Sequence, residues 1–423
     1  MSNQSLDVFA LREHVVGEYS RFARSFTRIA DQRLSDQVEN TYADSRYWPP
    51  PLIQINPTYA TDGSVAERVG SGDLHPKTGG IFRTGPSDTA NGGGSLSLYT
   101  HQAEALAFAH KRESFVVTTG TGSGKSLCFF IPIVDAILRE RDHDATKRTR
   151  AIVIYPMNAL ANSQFEELEK YLDNLGPDVP RPVQFKRYTG QESHEERERI
   201  AANPPDILLT NFMMLELLMT RQDDLDRKVI GNCAGLRFLV LDELHTYRGR
   251  QGADVALLVR RVRERLAPDR LVCIGTSATM VSSGEGTAAQ RKATVARVAS
   301  TLFATRIDAG HVITETLRRR TNPDKTRAHV LPILHGAVIR ASRDGIPDDL
   351  SDADLVDHPL AIWVEVTLGI AHDEEQQWHR ARPLTIREAA DRLASDAGCD
   401  TEVAETALRN LLLQANRSEQ ERR

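Results

Sequence analysis

The sequence predicts an α/β protein built on a doubly wound, mostly parallel sheet, and three observations support this. Short apolar runs recur along the middle of the chain, helical patterns separate them, and polar residues follow most of them. Runs this apolar are typical of strands covered on both faces. The runs are SFVVTT (114–119), AIVIYP (151–156), PVQFKRY (182–188), DILLTN (206–211), RFLVLDE (237–243) and LVCIGTSA (271–278).

The segments between these runs have helical periodicity. In residues 159–172 the apolar side chains of Ala161, Phe165, Leu168 and Leu172 fall on one stripe, and residues 255–266 repeat the pattern. Strand alternating with helix predicts one α/β domain over residues 96–308.

The flanking regions have a different composition. Residues 1–95 read as a helical N-terminal extension followed by a linker rich in glycine and proline. Residues 309–423 read as a connector or insert, mostly helical, with two helices around Gly398. Thr385 and Glu388 are spaced for a capping box at the first of these helices. The pair resembles a helix-turn-helix or winged-helix element, but a plain structural connector is favoured because no basic recognition face is evident.

Charge and composition exclude several classes of protein. The 423 residues carry a formal net charge of -5, which excludes a protein that binds nucleic acid through bulk basicity but leaves room for a local basic track. No apolar run is long enough to span a membrane, and charges interrupt the N-terminus where a signal peptide needs an apolar core. Four cysteines without a CxxC pair suggest reduced thiols. A cytoplasmic protein without a membrane partner is expected.

The polar residues that follow the apolar runs indicate where a site lies. Thr-Gly, Pro-Met-Asn, Thr-Asn, Asp-Glu and Ser-Ala-Thr each come at or just after the end of a run. Open α/β sheets bind ligands at the carboxyl ends of their strands. These residues therefore predict a site along one sheet edge.

The stretch VVTTGTGSGKS (116–126) has the pattern of a phosphate-binding loop, although Thr119 stands where the common pattern has glycine. Lys125 would neutralise phosphate charge and Ser126 would bind Mg²⁺. An apolar strand precedes the loop and an amphipathic helix follows it, as the pattern requires. The backbone N–H groups that would surround the phosphate belong to Thr121, Gly122, Ser123 and Gly124.

LVLDELH (239–245) has the pattern of an acidic element that works together with a phosphate-binding loop. An apolar strand ends on Asp242, whose carboxylate would hold Mg²⁺, and Glu243 would orient and deprotonate the attacking water. Alone, the pair is as consistent with a surface turn. A phosphate-binding loop upstream favours ATP hydrolysis.

Taken in order, these elements resemble the superfamily 2 DExD/H-box helicases. The matching elements are LYTHQ (98–102), TGTGSGKS (119–126), PMNALANSQ (156–164), Thr210–Asn211, DELH (242–245) and Ser277-Ala-Thr279. In this family TGxGK[ST] is the retained part of the loop, so Thr119 is tolerated. The DELH box, LYTHQ and the N-terminal residues 6–22 most resemble large bacterial DEAD/H-box proteins of the Lhr, mitomycin-repair and phage-defence kinds.

The resemblance implies a RecA-like fold and further roles. Gln102 would read the adenine edge, and Tyr99 would lie against the base, although a core position for Tyr99 is equally consistent. The resemblance also implies that three residues couple the state of the γ-phosphate to movement between domains: His245, Ser277 and Thr279.

Nucleic acid would contact the same domain through its backbone. Asn158 opens a helix whose free N–H groups can meet a phosphate, and Thr210 and Asn211 end the next strand. Gly190, Arg248 and Arg250 are weaker candidates.

A superfamily 2 motor needs two RecA-like domains, and no second set of motifs follows Thr279. The expectation is thus an ATP- and Mg²⁺-dependent helicase or translocase, acting on DNA, that is either present only as its N-terminal half or completed by another chain carrying the second RecA-like domain. One alternative is a module that binds ATP and nucleic acid but turns over little alone. Another is an RNA helicase; DELH rather than DEAD favours DNA.

Overall fold

The computed structural model describes residues 7–26, 29–43, 49–85, 93–267, 270–278, 287–347, 351–372 and 378–420. None of the described helices combines the length and apolar composition that a membrane span requires. The α-helices are α1 Val8–Ser25, α2 Gln32–Ala43, α3 Val65–Gly70, α4 Pro76–Ile81, α5 Thr100–His110, α6 Leu127–Arg141, α7 Asn158–Asp173, α8 His194–Ala202, α9 Phe212–Thr220, α10 Asp224–Gly231, α11 Gly249–Leu266, α12 Ala288–Phe303, α13 Arg327–Asp344, α14 Asp352–Asp357, α15 Pro359–Val364, α16 Ile386–Ala397 and α17 Thr401–Gln420.

The strands are β1 Leu52–Ile53, β2 Thr58–Tyr59, β3 Thr61–Ser64, β4 Ser97–Tyr99, β5 Phe115–Thr118, β6 Ala151–Tyr155, β7 Phe185–Tyr188, β8 Ile207–Asn211, β9 Phe238–Leu241, β10 Val272–Ser277, β11 Val312–Thr314, β12 Leu317–Arg318, β13 Ile370–His372, β14 Trp378–Arg380 and β15 Leu384–Thr385. Short 3₁₀ segments cover Leu244–Thr246 and Ala309–His311, and a π-helical turn covers Glu365–Gly369.

The chain divides into two compact units. One is Tyr59–Thr316, and the other combines Met1–Thr58 with Leu317–Arg423. The division into domains at residues 95/96 and 308/309 stays a prediction.

The first unit contains a seven-stranded parallel sheet. Its strand order is β11-β5-β10-β9-β6-β8-β7. All six apolar runs are strands of this sheet, which confirms the predicted doubly wound fold. The seventh strand, β11, pairs with β5. It escaped prediction because three residues are too few to stand out as an apolar run.

Alternate residues of each strand face two separate cores. Val117 and Val153 pack on one side with α6 and α7, whereas Val116 and Ile154 pack on the other with α11 and α12. Helices therefore cover both faces of the sheet. The described cysteines are all free, and Cys128, Cys233 and Cys273 are buried.

The second unit is mostly helical, as predicted. Trp363 is fully buried among α13, α15, α16 and α17, and its Nε1 donates to the Asp396 carboxylate over 2.7 Å. The predicted capping box is present, with Thr385 N donating to Glu388 Oε2 (2.8 Å) and Glu388 N donating to Thr385 Oγ1 (3.1 Å). Helix α16 ends at Gly398, whose φ is 64°. The two helices around Gly398 are confirmed.

Candidate functional site

Most of the predicted site residues follow the carboxyl ends of neighbouring parallel strands. The glycine-rich loop follows β5, Asp242 follows β9, and Ser277 ends β10. Asn158 comes three residues after β6, and Asn211 ends β8. Because these strands are parallel and adjacent, one sheet edge carries the predicted nucleotide residues and the predicted nucleic-acid residues.

The loop after β5 has the backbone that a phosphate site needs. Gly122 and Gly124 have φ of 78° and 67°, a region that glycine enters without steric cost. Thr119, at the position where glycine is common, is 2.6 Å from Ser123 (Oγ1 to Oγ) and closes the loop on itself. Helix α6 starts directly after Ser126.

Lys125 turns back over this loop. Its Nζ donates to the carbonyl oxygens of Thr119 (3.2 Å) and Gly120 (3.4 Å). The ammonium group is therefore held at the mouth of the loop by neutral acceptors. A bound phosphate would offer this ammonium group charged oxygen atoms as acceptors in place of the neutral carbonyls.

Side chains from the LYTHQ segment hold the loop from outside. His101 Nε2 lies 2.8 Å from the Ser123 carbonyl oxygen, and Gln102 Nε2 donates to the Gly124 carbonyl over 3.1 Å. Gln102 Oε1 accepts from Tyr99 N (2.9 Å). The Gln102 amide is buried and engaged with backbone at both ends. Its contact with adenine stays a prediction.

Asp242 and Glu243 are joined through a residue that sequence reasoning missed. The Thr276 hydroxyl donates to Asp242 Oδ1 and accepts from the backbone N–H of Glu243 (3.2 Å). Thr276 was detectable as a polar residue inside the apolar run 271–278. Burial raises the pKa of Asp242; the Thr276 hydrogen bond lowers it, the Glu243 charge raises it and Lys125 lowers it.

Glu243 has a strained backbone. Its φ of 52° and ψ of 57° lie in the left-handed region, which residues other than glycine, asparagine and aspartate rarely adopt. Such strain is concentrated at functional positions, where surrounding contacts hold it. The Glu243 carboxylate is turned toward His245, with Oε2 3.2 Å from Nδ1.

Two of the three predicted coupling residues lie together. His245 Nδ1 is 3.2 Å from Ser277 Oγ, so the 3₁₀ turn after β9 is linked to the end of β10. Thr279 lies outside the described residues.

The predicted nucleic-acid residues divide into two groups. Asn211 Nδ2 donates to Asn158 Oδ1 (2.6 Å), and both side chains are half-buried at the sheet edge. Thr210, in contrast, is fully buried, and its hydroxyl donates to the Tyr188 carbonyl (2.6 Å). The Thr210 hydroxyl therefore faces the interior, and Asn211 is the residue of β8 whose side chain reaches the surface at the sheet edge.

A turn that holds the carboxylate of Glu192 lies beside Asn211. The backbone N–H groups of Thr189 (2.8 Å) and Gly190 (2.9 Å) donate to Glu192 Oε2, and the Thr189 hydroxyl donates to Oε1 (2.9 Å). Asn211 Nδ2 also donates to the Thr189 carbonyl (3.1 Å). Sequence reasoning included Gly190 as a weak candidate but missed Glu192. Arg248 and Arg250 are exposed.

Comparisons with known proteins agree with this geometry. Residues 99–285 match the family described as DEAD/DEAH box helicase. The chain is 34% identical over 190 residues to the uncharacterized ATP-dependent helicase YprA of Bacillus subtilis, a match that covers 44% of this chain and 24% of YprA. It is 26% identical to the Druantia protein DruE of Escherichia coli, covering 65% of this chain and 20% of DruE.

Among solved structures, the DUF1998 helicase MrfA bound to DNA is similar, at 25% identity and a TM-score of 0.46, over 62% of this chain and 29% of that one. The chain thus spans about a quarter or less of the curated relatives named above. The matched range contains the loop, the Asp242-Glu243 pair and the asparagines at the sheet edge. Residues 99–285 of this chain are a DEAD/DEAH box helicase domain.

Proposed function

We propose that this chain is the ATP-binding part of a DNA helicase or translocase. One observation carries the proposal. Lys125 follows β5, and Asp242 and Glu243 follow β9, two parallel strands on either side of β10 in a domain of the DEAD/DEAH box family. Asn158 and Asn211 lie along the same edge of the sheet.

The residues present fit ATP with Mg²⁺. The two glycines with positive φ let backbone N–H groups approach a phosphate, and Lys125 already lies at the loop mouth. Ser126 and Asp242 are the residues that would hold Mg²⁺, which neutralises charge on the transferred phosphoryl group when bound. Glu243 would orient and deprotonate the water.

The nucleic acid would be read through its backbone. Asn158 would offer a neutral side-chain donor, and Asn211, which donates to Asn158 Oδ1 and to the Thr189 carbonyl, would hold it in place. The N–H groups of Thr189 and Gly190 would become neutral donors once Glu192 releases them. Such donors suit phosphates without specifying sequence. The preference for DNA over RNA rests on the resemblance of the DELH box to repair and defence proteins. The cytoplasm is the proposed compartment.

A second RecA-like domain, in the same polypeptide or in another, would complete the motor. The described residues form one seven-stranded sheet of this kind. In related NTPases an arginine from a second element stabilises the transition state and is worth about 10³–10⁵ in rate. The alternative is a module that binds ATP and nucleic acid but turns over little by itself.

Steady-state ATP hydrolysis tests this proposal, measured with no nucleic acid, with single-stranded DNA and with RNA. Lys125→Ala and Glu243→Gln serve as controls. We expect turnover that DNA stimulates more than RNA does and that both substitutions abolish. Stimulation by RNA alone would favour the RNA helicase, and background turnover despite ATP binding would favour the module.

A further inference from the structure

Two consecutive side chains hold two consecutive carbonyl groups of the phosphate-binding loop. His101 Nε2 contacts the Ser123 carbonyl oxygen at 2.8 Å, and Gln102 Nε2 donates to the Gly124 carbonyl oxygen over 3.1 Å. His101 is fully buried. Neither contact uses the phosphate-facing side of the loop.

The direction of these carbonyls fixes the direction of the amides. In a trans peptide the C=O of one residue and the N–H of the next point in opposite directions. Holding the Ser123 carbonyl outward therefore turns the Gly124 N–H inward, and holding the Gly124 carbonyl does the same for the Lys125 N–H. These are among the amides that the loop offers to a phosphate.

The space around Gly124 shows how closely Gln102 is fitted. A Cβ on Gly124 would lie 2.6 Å from Gln102 Nε2. At the other end of the loop, Gly120 N donates to Glu315 Oε2 (3.0 Å). The loop is thus held by side chains at both ends.

The histidine ring is held in place between two tyrosines. It stacks on Tyr99 with ring centroids 5.5 Å apart and meets the edge of Tyr59 at 5.6 Å. Burial lowers the pKa of His101; the Ser123 contact and Glu315 oppose that shift, and Lys125 adds to it. Because a carbonyl oxygen can only accept, Nε2 of His101 must carry a proton to bond to Ser123.

Packing alone does not account for a histidine here. Nδ1 of His101 is buried and has no hydrogen-bond partner. Stranding a buried polar atom costs free energy. A phenylalanine would fill the same space between the tyrosines without that cost, so the donor at Nε2 is the feature that distinguishes histidine.

We propose that His101 is a positioning residue that sets the phosphate-binding loop in its receptive conformation before nucleotide arrives. The proposal rests on the proposed ATP site and deepens it. His101 acts on affinity for the phosphates and not on recognition of the base, because its contact with the loop is to the backbone carbonyl of Ser123.

Three variants test this role. His101→Phe keeps a stacked ring but removes the donor, whereas His101→Gln returns an amide N–H near the position of Nε2. His110→Phe is the matched control, since His110 lies on the same helix and bonds to Asp135 instead of the loop. Equilibrium binding of fluorescent ADP and GDP with Mg²⁺ is measured for each, with thermal unfolding alongside.

We expect His101→Phe to raise the Kd for both nucleotides by one common factor, about 3- to 10-fold for the loss of one hydrogen bond. His101→Gln should recover most of that loss, and His110→Phe should leave both Kd values unchanged. Amide hydrogen exchange across residues 119–126, measured without nucleotide, should be faster in His101→Phe.

Other outcomes overturn the role. A folded His101→Phe protein with wild-type Kd values and wild-type exchange shows that His101 only fills space. If His101→Phe does not fold, His101→Gln decides: wild-type Kd values support the role, and Kd values raised more than 10-fold overturn it. Failure of wild-type protein to bind ADP, with Lys125→Ala identical, would instead overturn the proposed function.

Discussion

Thr276 links the two acidic residues of the site, one through its carboxylate and the other through its backbone. Its hydroxyl donates to the Asp242 carboxylate and accepts from the backbone N–H of Glu243. A hydroxyl can do both at once, which leaves its rotation no freedom. The left-handed backbone of Glu243 therefore has a specific contact that supports it.

Replacing Thr276 with valine should lower the turnover number for ATP. Valine keeps the shape but removes both hydrogen bonds, one of them to a charged group, so a decrease of about 10-fold is expected. The Kd for ADP should change less than 3-fold. Steady-state kinetics and ADP titration measure the two quantities.

Thr276→Ser is the control, since it restores the hydroxyl, and it should recover most of the turnover. A valine variant as active as wild type would show that Asp242 and Glu243 are held by other contacts.

Glu192 occupies backbone N–H groups that a nucleic-acid phosphate would use. We expect Glu192→Ala to bind single-stranded DNA about 3- to 10-fold more tightly, because it frees the Thr189 and Gly190 amides and removes a negative charge. Fluorescence anisotropy at one fixed salt concentration measures the affinity.

Glu195→Ala is matched for charge, because Glu195 is exposed and lies three residues further on. If both variants bind single-stranded DNA with equal affinity, the change in net charge alone explains the effect of Glu192→Ala. Weaker binding by Glu192→Ala would mean that the carboxylate orders the turn for binding.

At this scale the sequence was informative where a motif spans consecutive residues. The places of Lys125, Asp242 and Glu243, just after strands of one sheet, were predictable because neighbouring glycines and apolar runs mark them; their roles stay predictions. His101, Thr276 and Glu192 act through backbone contacts that depend on how separate strands and turns meet. A single sequence does not show which strands and turns come into contact.

Asp135 connects three helices of the first unit. It lies on α6, accepts from the backbone N–H of His75 at the start of α4 (2.6 Å), and contacts His110 at the end of α5 (3.2 Å). Arg139, one turn further along α6, donates to the same carboxylate (2.9 Å). Although burial opposes it, these hydrogen bonds together lower the pKa of Asp135.

Asp135→Asn should destabilise the protein at pH 7 by about 1–3 kcal/mol, since a buried carboxylate loses charge-assisted partners. A lowered pKa in the folded state means that this stabilisation is complete above the unfolded pKa of about 3.9 and disappears as pH falls through the folded value. Denaturant unfolding at pH 7 and at successively lower pH measures the difference between variant and wild type.

Asp142→Asn provides the comparison, because Asp142 is exposed and pairs with His75 at 3.2 Å. Its effect should stay within about 0.5 kcal/mol. A difference for Asp135→Asn that persists unchanged below pH 3 would show that shape rather than charge is responsible.

At the scale of elements, periodicity sufficed for the long segments. The six apolar runs and the helix pair around Gly398 were predictable because each repeats its pattern over enough residues. Strand β11 was not, and neither were the two-residue strands β1 and β15, which pair with each other across more than 300 residues. Such short strands are defined by their partners and not by their own sequence.

At the scale of the molecule, the proposed function rests on one edge of one sheet. Parallel strands deliver the phosphate-binding loop, the acidic pair and the two asparagines to the same side of the first unit. The proposed turnover would need a transition-state group from a second domain, whereas the proposed nucleotide binding would use the groups at this edge. Binding is therefore the property that this unit should show by itself.

The most direct measurement is a calorimetric titration of the chain with ADP, with and without Mg²⁺, beside Lys125→Ala and Asp242→Asn. We expect saturable, Mg²⁺-dependent binding that Lys125→Ala weakens by at least about 10-fold, since a charge-assisted contact to phosphate is lost. Asp242→Asn should remove the dependence on Mg²⁺. No binding by a folded wild-type chain, or equal binding by Lys125→Ala, would contradict the proposed ATP site.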